Sequence, residues 1–173
     1  MNFREQLKNP ASIGYIELIV QSAIAEPNGF EEMFGLMFDA DTDVAWRAGW
    51  VCDKIGRIYP QLFSTSQIQQ IADYVLITNH HGVRRGFLTL LNDLPLPDEI
   101  SVELINQLFY WMILPKADVS AQVLSMKMLY RICLIQPDFK QEMLAYLDNC
   151  AIEDYTPGYQ ATRKKIIKLL NRQ

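Results

Sequence analysis

The sequence predicts an all-α fold of stacked helical pairs, an α-solenoid of about nine or ten helices, and three observations carry that prediction. First, Val44, Ala48, Val51, Cys52 and Ile55 stand at i, i+4, i+7, i+8 and i+11, which places them on one side of a helix. Second, the same offsets return at Val83, Phe87, Leu90, Leu91 and Leu94, then at Ala121, Ser125, Met128, Leu129 and Ile132, and more weakly at Gly158, Thr162, Lys165, Ile166 and Leu169. The starts lie 39, 38 and 37 residues apart. Helices recurring at that period, none able to bury its apolar face alone, must stack on their neighbours. Third, 50% hydrophobic and 21% charged residues in 173 suffice for a continuous core.

The elements follow in order. A short amphipathic piece over 2–8 ends at Asn9-Pro10, and a strongly apolar helix over 12–25 is closed by Glu26-Pro27-Asn28-Gly29. Ile16, Val20, Ala23 and Ile24 keep part of the repeat pattern, so 1–29 is expected to be a degenerate first unit that caps the stack. A short helix over 30–38 precedes the turn 39–43, and Asp43 is expected to cap the helix that runs to Tyr59 and stops at Pro60. Ser64 or Ser66 opens a helix carrying Ile68, Ile71, Ala72 and Val75, which ends near His80-His81-Gly82. The helix from Val83 to Asp93 is ended by the Leu94-Pro95-Leu96-Pro97 connector. Ser101 to Leu114 is amphipathic up to Pro115; Lys116 to Asp118 turns the chain, and Asp118 caps a helix over 119–135 that is apolar on almost every side. Such a helix belongs in the middle of a stack. A helix over 139–147, a polar loop, and a last helix interrupted by Arg163, Lys164, Lys165 and Lys168 complete the chain. The expected organisation is a single domain, with repeat units over 30–60, 64–97, 99–137 and 138–173 after the cap.

The pairing of a shorter first helix with a second one opened by Asp-Val or Gly-Val resembles the HEAT family of armadillo-like helical repeats. The resemblance is best carried by Val83-Arg84-Arg85-Gly86-Phe87-Leu88-Thr89-Leu90-Leu91. The family's arginine after the first apolar position is present as Arg84, while Ala45, Gln122 and Tyr159 stand in its place elsewhere. The resemblance implies a right-handed superhelix whose second helices line a concave surface that holds proteins or peptides.

Composition narrows the chemistry. A net charge of −4 argues against coating nucleic acid or anionic membrane by charge alone. Cys52, Cys133 and Cys150 are odd in number and show no CxxC spacing, which argues against a disulfide framework or a zinc site. The amino-terminal segment lacks a signal-peptide layout, and no apolar run approaches the roughly 18 to 20 residues of a membrane span. A cytoplasmic, membrane-free protein is expected. Asp39, Asp41 and Asp43 open like a calcium loop, but Val44 and Trp50 occupy the positions that need Gly and Glu, so capping and turn chemistry is the better reading. His80 and His81 are adjacent and diverge, with no third ligand at metal spacing. No phosphate loop or serine elbow occurs, and no cofactor or catalytic residue is assigned.

The helix from Val44 carries more than its core face. At about 100° per residue, Ala45, Gly49 and Gly56 share a second face suited to close helix packing. Trp46, Trp50, Asp53 and Arg57 share the face opposite the core. The same offsets place Arg85, Thr89 and Asn92, then Val123, Lys127 and Tyr130, then Gln160, Lys164 and Ile167 on the matching side of the later helices. The second helices hold twelve of the 16 Lys and Arg but four of the 20 Asp and Glu. Trp46, Trp50, Asp53, Arg57, Arg85, Lys127 and Tyr130 are therefore the expected contact strip of a non-catalytic scaffold for a protein or peptide. The alternative is a nucleic-acid-binding repeat protein, because aromatic and cationic side chains together also stack bases and neutralise phosphates. Trp46, Trp50 and Asp53 loosely resemble the tryptophans and aspartate of the HEAT-like alkylpurine DNA glycosylases, though the Asn-Trp-Asp run is missing. Burial of the strip in a homodimer is the third reading.

Overall fold

The computed structural model describes residues 2–9, 12–114 and 118–172. The described residues form ten α-helices and no strand, and they fall into two compact units, 1–95 and 96–173. The breaks expected at Pro10, Pro115 and Lys116 lie outside the described residues.

The first unit contains α1 (Phe3–Lys8), α2 (Ile13–Ala25), α3 (Gly29–Leu36), α4 (Thr42–Ile58), α5 (Thr65–Ile77) and α6 (His81–Asp93). Its hub is α4, which packs against α1, α2, α3 and α6, while α5 packs on α6. The reason is in the residues: Val44, Ala48, Val51, Cys52 and Ile55 are all fully buried. Each Val or Ile so buried contributes about 1.5–3 kcal/mol. The ends are set by local chemistry. Ser12 caps α2 by accepting from Tyr15 N–H, and Ser64 forms a reciprocal capping box with Gln67. Asn28, at φ 59°, turns the chain between α2 and α3, and Gly29 follows because a Cβ there would stand 2.6 Å from the Ala23 carbonyl oxygen.

The second unit contains α7 (Val102–Ile113), α8 (Val119–Ile135), α9 (Phe139–Asp148) and α10 (Pro157–Leu170). Here α8 is the hub, packed on α7, α9 and α10, with Ala121, Ser125, Met128, Leu129 and Ile132 buried. Ser101 and Asp118 cap α7 and α8.

The structure corrects four details. The cap of α4 is Asp41, whose carboxylate accepts from Asp43 N–H at 3.0 Å; Asp43 lies inside the first turn. Ile24 is on the outer side of α2 rather than in the core. His81 is the first residue of α6 and His80 is its cap, with Nδ1 accepting from Val83 N–H at 3.2 Å. In α10 the buried residues are Tyr159, Ile166 and Leu170: of the expected Gly158, Thr162, Lys165, Ile166 and Leu169 only Ile166 is buried, and Tyr159 and Leu170 take the places given to Gly158 and Leu169. A large aromatic side chain at Tyr159 buries far more surface than Gly158 can, and that decides which of the two turns inward.

Tyr159 as the first core residue of α10 exposes a common device. Arg84, Gln122 and Gln160 each follow the first core residue of their helix, and each reaches back to carbonyls of the preceding linker. Arg84 Nη2 donates to Thr78 O at 2.6 Å and Gln122 Nε2 to Leu114 O at 2.6 Å. Gln160 Nε2 donates to Tyr155 O at 2.9 Å and Ile152 O at 3.0 Å. Thr78 and Leu114 cap the C-termini of α5 and α7, where carbonyls lack helical partners.

Candidate functional site

The site is a groove between α4 and α6, and its two walls are held from behind. Arg4 grips Asp39 through two hydrogen bonds, 2.7 and 3.0 Å, while Asp39 also accepts from Asp41 N–H at 2.8 Å. The turn before α4 is thereby fixed, and the Asp39–Asp43 run performs capping and turn chemistry. Arg47 donates to Leu7 O at 2.7 Å, tying α4 to the end of α1. On the other wall the His80 cap and the Arg84 tie set the start of α6.

The resulting cavity, about 400 Å³, is lined by Trp46, Gly49, Trp50, Asp53 and Arg57 from α4 and by Gly82, Arg85, Gly86 and Thr89 from α6. Trp46 and Trp50 are half-buried and lie one turn apart with nearly parallel rings, centroids 6.0 Å apart at 13°. The Arg47 guanidinium carbon stands 5.5 Å from the Trp46 ring centroid, a cation–π contact. Neither indole N–H has a hydrogen-bond partner among the described residues.

Asp53 is the carboxylate of the groove, with a side chain only 13% exposed. Arg57 covers both its oxygens, Nε to Oδ1 at 3.2 Å and Nη2 to Oδ2 at 3.1 Å, and also pairs with Asp93 at 3.2 Å. Desolvation raises the Asp53 pKa above the ordinary aspartate value, and the Arg57 charge works against that rise. Arg85, by contrast, is exposed, and its guanidinium has no hydrogen-bond or ion-pair partner among the described residues. Thr89 donates its hydroxyl to Arg85 O at 2.8 Å.

Five of the seven residues picked from the sequence, Trp46, Trp50, Asp53, Arg57 and Arg85, thus line one groove. Lys127 and Tyr130 belong to α8 in the second unit, the first exposed and the second half-buried. Neither tryptophan is fully buried by a neighbour.

Sequence reasoning missed the glycine floor. Gly49 was expected to admit a closely packed helix, yet a Cβ there meets nothing within 4 Å, and the same holds for Gly86. Gly56, of the same trio, does serve close packing, against Leu90, Phe63 and Leu94. Gly82 backs onto Trp46, where a Cβ would stand 3.7 Å from Trp46 Cβ. The signal available was two glycines well inside helices, each one residue from a strip position.

Among the described residues no cluster of His, Cys, Asp and Glu has the arrangement of a metal site, and no helix is long and apolar enough to cross a membrane. The three cysteines are free thiols. Compared with known proteins, the chain matches the model of the HEAT repeat domain over residues 3–170. No curated protein and no solved structure matches it.

Proposed function

This chain belongs to the HEAT repeat family, and on that footing we propose that it is a binding module that holds a segment of a partner protein in the α4–α6 groove. The observation that carries the reading is the Trp46–Trp50 stack, left half open in a groove whose walls are fixed from behind. Open, rigidly mounted tryptophans beside arginine are the composition of an interface hot spot. Trp50, Trp46 and Arg85 supply the contact energy, and the Asp53–Arg57 pair shapes the floor beneath them. Lys127 and Tyr130 are proposed as contacts of the second unit in their own right.

The test is selection of a displayed random linear peptide library on the intact chain. Peptides selected by the wild type should lose about 30-fold or more in affinity for Trp50→Ala, the loss expected of a hot-spot tryptophan. Equal binding to Trp50→Ala overturns the proposal. So does a failure to select peptides combined with saturable binding of labelled DNA or RNA that falls steeply between about 50 and 200 mM salt, which is the behaviour of a phosphate-driven complex.

A further inference from the structure

We propose that the segment held in the α4–α6 groove is an extended peptide whose main chain crosses the floor at Gly49 and Gly86 and whose single carboxylate pairs with Arg85. This rests on the groove being the binding site, and it adds the chemistry of the occupant.

The glycines come first. A glycine inside a helix costs stability, so it needs a reason: a close neighbour, or a close visitor. Gly56 and Gly82 have close neighbours, and a Cβ at Gly29 would clash with the Ala23 backbone. Gly14, Gly35 and Gly158 sit in the first or last turn of their helices, where the cost is small. Gly49 and Gly86 are well inside α4 and α6 and line the same groove; Gly49 is buried and Gly86 half-buried, and apart from adjacent residues and their own helix backbone nothing stands within 4 Å of a Cβ at either. Their lack of side chains keeps the floor low from both walls. A floor without side chains lets a backbone approach.

The second observation is the sign of the unused hydrogen bonds. Both Asp53 oxygens already accept from Arg57, and the Thr89 hydroxyl has given its one proton to Arg85 O and can now only accept. The donors left unused are the two indole N–H groups and the Arg85 guanidinium. An occupant that satisfies these donors brings acceptors, which an extended main chain does through its carbonyls and an acidic side chain through its carboxylate.

The third observation limits the charge. Residues 1–95 carry seven Lys and Arg against eleven Asp and Glu. A polyanion such as nucleic acid would be repelled by that excess, whereas one carboxylate placed on an unpaired guanidinium is not.

The experiment uses the peptides selected on the intact chain, resynthesised with each Asp or Glu changed to Asn or Gln, and measured against wild type, Arg85→Glu and the double variant Gly49→Ala, Gly86→Ala. The selected peptides should share one acidic position. Neutralising it should cost about tenfold or more with wild type and almost nothing with Arg85→Glu, the coupling of a charge-assisted pair. The double alanine variant should bind about tenfold or more weakly while unfolding at a higher temperature, which separates a blocked floor from a damaged fold. Selected peptides with no shared acid, or no coupling to Arg85, overturn the carboxylate assignment. Unchanged affinity in the alanine variant overturns the main-chain crossing. In both cases a loss with Trp50→Ala still upholds the groove as the binding site, and only retention with Trp50→Ala removes that reading too.

Discussion

Gln122 Nε2 donates to the carbonyl oxygen of Leu114 at 2.6 Å, so one amide ties the start of α8 to the end of α7. Gln122 is almost fully buried, and truncating it strands a helix-terminal carbonyl. Gln122→Ala should lower unfolding stability by about 1–3 kcal/mol. Because Arg84 performs the same task for α6, Gln122→Arg should recover part of the loss. Urea midpoints at unchanged m-value read both effects.

A second prediction concerns a hydroxyl with no work. Ser125 occupies the core position that Ala48 fills in α4; it is fully buried, and its Oγ has no partner among the described residues. Ser125→Ala removes an unpaid desolvation and should raise stability by about 1 kcal/mol. A fall in the urea midpoint would mean that the hydroxyl is engaged in the native state.

The groove floor supplies a third. With open space above them, Gly49→Ala and Gly86→Ala should each stabilise by about 0.5–1 kcal/mol, the ordinary gain for filling an interior helix glycine. Thermal unfolding of the single variants checks it, and destabilisation by either would show that the floor is closed.

The fourth concerns pH, where two aspartates have opposite signs. The Arg4 hydrogen bond, then the Asp41 backbone N–H, hold the Asp39 pKa below the ordinary 3.8. The folded state then binds fewer protons than the unfolded one, so the contribution is present above 3.8 and is lost as pH falls through the lowered native value. Desolvation raises the Asp53 pKa above 3.8. The folded state there binds more protons, so stability drains away as pH rises from 3.8 through the raised native value. The stability gap between wild type and Asp39→Asn should therefore narrow on acidification. Asp53→Asn should gain relative to wild type as pH rises over the same interval. Denaturation midpoints followed on both sides of the ordinary aspartate value check both trends.

The core was legible because it repeats. Fifteen side chains at fixed offsets, fourteen in α4, α6 and α8 and Leu94 at the C-cap of α6, are buried as their spacing implied. In α10 the pattern held only at Ile166; at either end Tyr159 and Leu170 displaced Gly158 and Leu169, where the spacing was weak and the size of Tyr159 should have outweighed it. The Trp46, Trp50, Asp53 and Arg57 face followed from helix geometry alone, since one helix suffices to define it. The pairing of Arg57 with Asp93 did not, because it requires α4 and α6 to be placed side by side, and no local pattern states that. Gly49 illustrates the remaining gap: a missing side chain means close packing against α6 at Gly56, while a Cβ at the equally buried Gly49 would meet no neighbouring helix, and only the fold separates the two.

At one end of the groove Gly82 abuts Trp46, and at the other Arg57 bridges to Asp93. The slot is thus of fixed gauge, spaced by a steric stop at one end and an ionic strut at the other. The strut alone is sensitive to dissolved salt. Raising ionic strength should loosen the Arg57 end while the Trp46 end keeps its spacing, so the slot would open as a wedge rather than widen evenly.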